Sequence, residues 1–161
     1  MKIRMAQTED IDGILRLLTQ IGALPAQGRP DIFRPNALKY TASDLTSLLQ
    51  DPNLPILVAV EDTCVLGYAM CQRKEVKNNP VLCDQVQLYV DDLCVAEDRR
   101  GQHIGTALYQ GVVSLAKQMQ VSCITLNVWA FNKKALAFYE KSGMKPQRII
   151  MEYPLENADA E

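Results

Sequence analysis

Between positions 56 and 95 the chain lays down three apolar runs of strand length with no helical period between them. Ile56–Glu61 and residues 65–73 are separated by Asp62-Thr63-Cys64, a polar tripeptide of hairpin length. Residues 86–95 follow after the break Asn78-Asn79-Pro80. Consecutive strands of this kind pair antiparallel. The pattern then changes. Residues 104–119 put Ile104, Leu108, Val112, Leu115 and Met119 along one side of a helix, and residues 122–129 return to a strand. A strand–helix–strand unit calls for parallel pairing by a right-handed crossover. A single sheet must therefore be mixed, with helices over both faces.

The flanks fit this frame. Residues 3–5 read as a short strand. Thr8 caps a helix with Glu9 and Asp10 in its first turn, an apolar stripe of Ile11, Ile14, Leu15, Leu18 and Ile21, and an end at Gly22. Residues 23–36 contain Pro25, Gly28, Pro30 and Pro35 and read as a loop. Ser43 caps a second short helix that stops at Asp51-Pro52-Asn53. Asn132 caps a last helix running to Ser142, with Gly143 at the left-handed position beyond it, and residues 147–153 read as a final strand. The expected fold class is α/β, with a mixed, mostly antiparallel sheet of six to seven strands. The 161 residues suit one domain, 1–161, with 154–161 as a frayed tail.

Composition narrows the function. A formal charge of -2 disfavours a broad basic face, so no nucleic-acid partner is expected. No stretch approaches the ~20 apolar residues of a membrane span, and the N-terminus turns polar at once, so a cytoplasmic protein without a membrane partner is expected. The five cysteines include no C-x-x-C pair and stand beside one histidine, His103. Core thiols are expected and no metal site.

Two features carry chemistry. Asp91-Asp92 interrupts the apolar run 86–95. Adjacent carboxylates in a strand point to opposite faces unless a bulge re-aims them. The second feature is Arg99-Arg100-Gly101-Gln102-His103-Ile104-Gly105-Thr106, placed between a strand and a helix. A helix start exposes unpaired N–H groups and a positive dipole end, and glycines admit a ligand close to them, so such a junction can bind phosphate. Alone it reads equally as a tight turn. It is neither a Walker loop nor a dinucleotide fingerprint.

Taken with the later Asn132-x-x-Ala135-x-x-Phe138-Tyr139, the chain resembles the GNAT superfamily of acetyltransferases. Arg100 and Gly105 match the cofactor motif Arg/Gln-x-x-Gly-x-Gly/Ala, and His103 stands where the middle glycine is usual. The resemblance spans the chain and is sharpest from Tyr89 to Met144. It implies a sheet with one splayed strand pair, acetyl-CoA as cofactor, and transfer of acetyl to a primary amine. The acceptor would be a small amine, an amino acid, an antibiotic, a protein N-terminus or a lysine.

The resemblance also implies roles. The backbone of Leu93, Cys94 and Val95 holds the pantetheine arm as an added strand is held. Arg100, Gly101, Gln102, His103, Ile104, Gly105 and Thr106 hold the pyrophosphate. Asn132, Ala135, Phe138 and Tyr139 line the cofactor, and Tyr139 protonates the departing thiolate. Some members carry a glutamate base five residues before that Asn. Here the position is Asn127, which cannot be a base, so Asp91 or Asp92 becomes the candidate. Asp31 and Phe33, in a proline-stiffened loop, together with Asn127 and Trp129, are the expected acceptor contacts. An imidazole at His103 predicts CoA affinity that rises modestly as the medium becomes mildly acidic. A CoA-binding sensor without strong chemistry is the alternative, favoured by Asn127 and opposed by Tyr139. A homodimer is the default assembly, because symmetric dimers are common.

Overall fold

The computed structural model describes residues 1–35 and 37–155, apart from the side chains of Ala23 and Leu24. By contact density the chain divides into Met1–Asn127 and Val128–Glu161.

The first unit holds a sheet of five strands among the described residues, in the order β1-β2-β3-β4-β5. These are β1 (Lys2–Met5), β2 (Ile56–Glu61), β3 (Cys64–Val76), β4 (Gln85–Val95) and β5 (Cys123–Leu126). The first four pair antiparallel and β5 pairs parallel to β4, the mixed pattern the sequence demands. Helices α1 (Ile11–Gly28) and α2 (Ala42–Leu48) bury one face, and α3 (Ile104–Gln118) buries the other. Alternation along β2 shows why its run is apolar throughout. Val58 and Val60 pack with Ile14, Leu17 and Leu45, whereas Leu57 and Ala59 pack with Leu108 and Val112. A strand covered on both faces needs apolar side chains at every position.

The second unit contains α4 (Lys133–Lys141). Asn132 Oδ1 accepts from the Ala135 N–H at 3.2 Å, and Gly143 has φ +92, so both helix signals in the sequence are used as read.

Three local expectations are corrected. The strand expected at 147–153 does not form. The segment is irregular and its apolar residues, Ile149 to Leu155, are exposed. Strand propensity expresses fit to a pleated neighbour, and no described strand pairs with this segment. Among the described residues the sheet therefore has five strands rather than six or seven. Gly22 does not end α1, which continues through Pro25 to Gly28. Its missing Cβ serves a close approach, for a Cβ there would lie 3.3 Å from the Ala37 carbonyl oxygen. Thr8 and Ser43 are not the caps. A short 3-10 turn, Thr8–Asp10, precedes α1, and Thr41 caps α2 by accepting from Asp44 N–H. Asp10 does stand in that first turn, as read, and it is also buried and grips Arg4 at 2.6 and 3.0 Å. Residues 156–161 of the expected frayed tail lie outside the described residues.

Candidate active site

β3 and β4 run in register from Val76 opposite Gln85 to Cys71 opposite Val90, then resume at Met70 opposite Asp92. Asp91 is the extra residue of a β-bulge. The bulge cancels the alternation that would separate adjacent side chains. Lys39 Nζ lies 2.8 Å from Asp91 Oδ2 and 3.8 Å from Asp92 Oδ2, so the two carboxylates converge on one point.

The parallel pairing of β4 with β5 stops at Val90 opposite Leu126, immediately before the bulge. Past that point, among the described residues, β4 remains paired with β3 alone. The Ala96 N–H donates to the Leu66 carbonyl at 2.8 Å. Antiparallel alternation then turns the backbone groups of Cys94 toward β3 and those of Leu93 and Val95 toward the open edge. Gln20 fixes the end of this edge. Its Nε2 donates to the Val95 carbonyl at 3.0 Å, and its Oε1 accepts from the Glu97 N–H at 3.0 Å. The side chain of Cys94 belongs to the core, where burial pushes its thiol up to about 12.

The carboxylate pair is electrostatically uneven. Burial holds the Asp92 carboxyl above the usual aspartate range. Lys39 opposes this, Asp91 reinforces it, and a hydrogen bond from Tyr68 opposes it. The Tyr68 hydroxyl donates to Asp92 Oδ2 at 3.3 Å from a wholly buried ring. For Lys39, burial favours the neutral amine, but Asp91, Asp92 and Tyr40 outweigh it and keep the ammonium. Tyr40 OH lies 3.4 Å from Asp91 Oδ2. A cavity of about 160 Å³ opens beside Asp91, lined by Tyr40, Leu48, Leu54, Ile56 and Met70 among others.

At the far end of β4 a 3-10 turn, Glu97–Arg99, leads into Arg100, Gly101, Gln102 and His103, and then α3. Gly101 has φ +81, and a Cβ there would meet nothing within 4 Å, so this backbone is open to a close ligand. His103 is left-handed, with φ 60 and ψ 12. It adopts the conformation that makes glycine usual at this place, at a strain of order 1–2 kcal/mol for a non-glycine residue. Its side chain does not cap α3. The first intrahelical bond is from Ala107 N–H to the His103 carbonyl, 3.0 Å. The N–H groups of Ile104, Gly105 and Thr106 precede that bond and have no intrahelical acceptor. Ile104 anchors this start in the core under α3, while Gln102 and Thr106 are exposed. Arg100 is exposed, 3.4 Å from Glu97. These donors, on an open backbone at a positive helix end, suit a pyrophosphate.

In the second unit Tyr139 packs edge-on against Phe138, with ring centroids 5.0 Å apart, on the first helical turns after the Asn132 cap. Trp129 stacks on Phe131 at 6.0 Å.

The Acetyltransferase (GNAT) family model matches residues 26–144. The chain belongs to the GNAT acetyltransferases. This acetyltransferase is 27% identical over 112 residues to a Bacillus subtilis protein described as a candidate ribosomal protein bS18-alanine N-acetyltransferase. That match covers 70% of this chain and 68% of the relative. It is 27% identical over 103 residues to N-alpha-acetyltransferase 30 of Schizosaccharomyces pombe, covering 64% of this chain and 65% of that one. A solved variant of the BH1408 protein of Bacillus halodurans is 34% identical with a TM-score of 0.92, covering 97% of this chain and 100% of that one. An aminoglycoside N-acetyltransferase solved with CoA shares the fold at a TM-score of 0.72 and 13% identity, covering 97% of this chain and 100% of that one. The enzyme is an acyltransferase that uses acetyl-CoA.

Other expected acceptor residues stand as follows. Arg29 grips the exposed Asp31 carboxylate at 2.6 Å, so its charge is already matched. Phe33 is half-buried, and its N–H donates to the Arg29 carbonyl at 3.0 Å. Asn127 Nδ2 donates to Tyr89 OH at 3.2 Å. Sequence reasoning missed Lys39, Tyr40, Tyr68 and Gln20. Tyr68 alone carried a signal, because a tyrosine amid aliphatic strand residues needs a partner for its hydroxyl.

Proposed function

We propose that this enzyme acetylates a primary amine by direct attack, with Asp92, seconded by Asp91, taking the amine's proton and Tyr139 returning a proton to the leaving thiolate. The observation that carries the reading is the bulge. It converges two carboxylates on one point, where β4 and β5 part. Bound acetyl-CoA supplies the acetyl group as a thioester.

The residues around the cofactor then have separate tasks. The N–H groups of Leu93 and Val95 and the carbonyl of Leu93 offer a strand-like edge to the pantetheine amides. The carbonyl of Val95 is taken by Gln20, which limits the edge at that end. The backbone from Arg100 to Thr106 takes the pyrophosphate, with the left-handed turn at His103 aiming the amides and the Arg100 guanidinium adding charge. Asn132 is committed to its helix cap, and Ala135 and Phe138 share its helix with Tyr139. The match to residues 26–144 runs across both compact units, which supports treating 1–161 as one catalytic domain.

An alkylammonium has a reference pKa near ~10.4 and must lose a proton before attack. The half-buried Asp92 carboxyl, raised above its usual range, is suited to accept that proton. The thiolate must gain a proton, and a phenol stays protonated at neutral pH. The names of the two curated relatives put protein N-terminal amines first in an acceptor panel; small amines follow. Asp31, Phe33, Asn127 and Trp129 remain separate proposals for acceptor contacts, each to be tested by its own substitution.

The test is Tyr139→Phe in a thiol-release assay with that panel. Turnover falls at least about a hundredfold, the scale of one general acid, while CoA affinity stays within about twofold. Unchanged turnover removes Tyr139 from the mechanism.

A further inference from the structure

Lys39 is the chemical twin of the acceptor: a primary ammonium on an alkyl stem. Its Nζ meets the Oδ2 atoms of both Asp91 and Asp92, at 2.8 and 3.8 Å. Tyr40 adds its ring face, with Nζ 5.6 Å from the centroid, the arrangement in which aromatic rings attract cations. The carboxylate side chains are 18% and 14% exposed and that of Lys39 is 42% exposed, so the ammonium covers the acids from the solvent side. Both Oδ2 atoms already point at a cation. A second ammonium arriving there meets like charge. The apolar cavity beside Asp91 leaves room for a short alkyl stem that Lys39 does not fill.

We propose that Lys39 is an internal competitor for the acceptor: its ammonium holds the place on Asp91 and Asp92 that a primary alkylammonium takes, and binding of the acceptor displaces it. The inference rests on the reading of this pair as the acceptor's carboxylates. Lys39 then sets acceptor selectivity, because an amine is bound only if it beats a tethered rival. It also keeps the two carboxylates from facing each other uncompensated when no acceptor is bound. Anionic or uncharged competitors gain nothing from the pair.

The probe is n-butylammonium, which reproduces the lysine head and stem. Its binding to the full chain is read from the backbone amide signals of Asp91 and Asp92 as the ion is added. Lys39→Met binds it roughly fivefold more tightly than wild type, the scale of one partly exposed ion pair. Lys39→Gln, which is polar but uncharged, does the same. Lys39→Arg restores the cation and stays within about twofold of wild type. In steady-state assays the gain is read as a lower KM for the amine. Equal affinity in all four proteins, with Asp91 and Asp92 signals still moving, overturns the competitor and keeps the acceptor reading. No movement of those signals in folded Lys39→Met overturns the acceptor reading itself, and the competitor with it.

Discussion

Two aspartates, the buried Asp10 and the half-buried Asp92, are handled in opposite ways. At Asp10 the Arg4 guanidinium closes a two-point grip at 2.6 and 3.0 Å, and the Gln7 N–H adds 2.8 Å. Burial works against the charge there, yet Arg4 and the backbone donor outweigh it and hold the carboxyl below the usual range. At Asp92 the side-chain donors stand farther off, and the Leu93 backbone adds only a smaller pull. Tyr68 OH stands at 3.3 Å, and Lys39, shared with Asp91, at 3.8 Å. Burial wins and the carboxyl is raised. The difference shows how one chain separates structure from chemistry. A fully matched carboxylate ties β1 to α1, and an under-matched one stays ready for a proton.

Replacing Asp92 gives the largest contrast. Asp92→Asn lowers turnover by roughly a thousandfold, about 4 kcal/mol, as loss of a general base does. The wild-type rate climbs with pH through the raised Asp92 value, and the Asn variant loses that limb. Stability moves the other way. A carboxyl whose folded pKa lies above its unfolded value stabilises the fold only below that unfolded value. The contribution is lost as pH rises through the folded value. Above the raised folded value, ionised Asp92 is therefore a net cost, and there the Asn variant melts at the wild-type temperature or higher. A variant that melted lower but kept its turnover would make Asp92 a second Asp10.

The converse experiment is Asp10→Ala. Removing one partner of a buried pair costs about 3 kcal/mol, which in a chain of this size lowers Tm by roughly 6–12 °C. Turnover per folded molecule is unchanged. Because Asp10 titrates below its ordinary value of 3.8, its contribution is complete above that value and fades as pH falls through the lower folded one. Wild type and variant, followed by thermal melting, therefore converge in strong acid and diverge above about pH 4. Parallel curves down to pH 2 would mean that packing, not the ion pair, carries the loss.

The sequence disclosed these two sites unequally. Asp91-Asp92 was conspicuous because two acids interrupt an apolar strand, and a bulge was the physical way to aim both at one place. The turn before α3 was equally legible. His103 occupies a left-handed position, and the surrounding motif had marked it. Lys39 gave no such signal, since its meeting with the pair depends on the path of the connection from Arg29 to Thr41, which no periodicity encodes. Asp10 was read only in part, for a related reason. An acid early in a helix suits the macrodipole, and only the position of β1 brings Arg4 against it. The expected strand at 147–153 failed because propensity names a residue's preference and says nothing about an available edge. Local devices were readable, while partnerships between distant segments were not.

The smallest effect probes the under-matched side of the comparison from within. Tyr68→Phe removes the neutral hydroxyl that donates to Asp92 Oδ2 while keeping the ring in the core. Burial, the dominant influence on Asp92, then has one opponent fewer. Lys39 and Tyr40 remain on the connection before α2, Cys71 on β3, and Asp91 and Cys94 on β4, so the change at Asp92 is confined to the lost donor. Such a bond is worth about 1 kcal/mol, and one pKa unit corresponds to about 1.4 kcal/mol. The rising limb of the rate–pH profile should move to higher pH by roughly half to one unit, with the plateau rate nearly kept. A limb that stays in place assigns it to a group other than Asp92. A limb that moves to lower pH means that the hydroxyl had been favouring the protonated acid, and Asp92 would then be poised by its hydrogen bond rather than by burial.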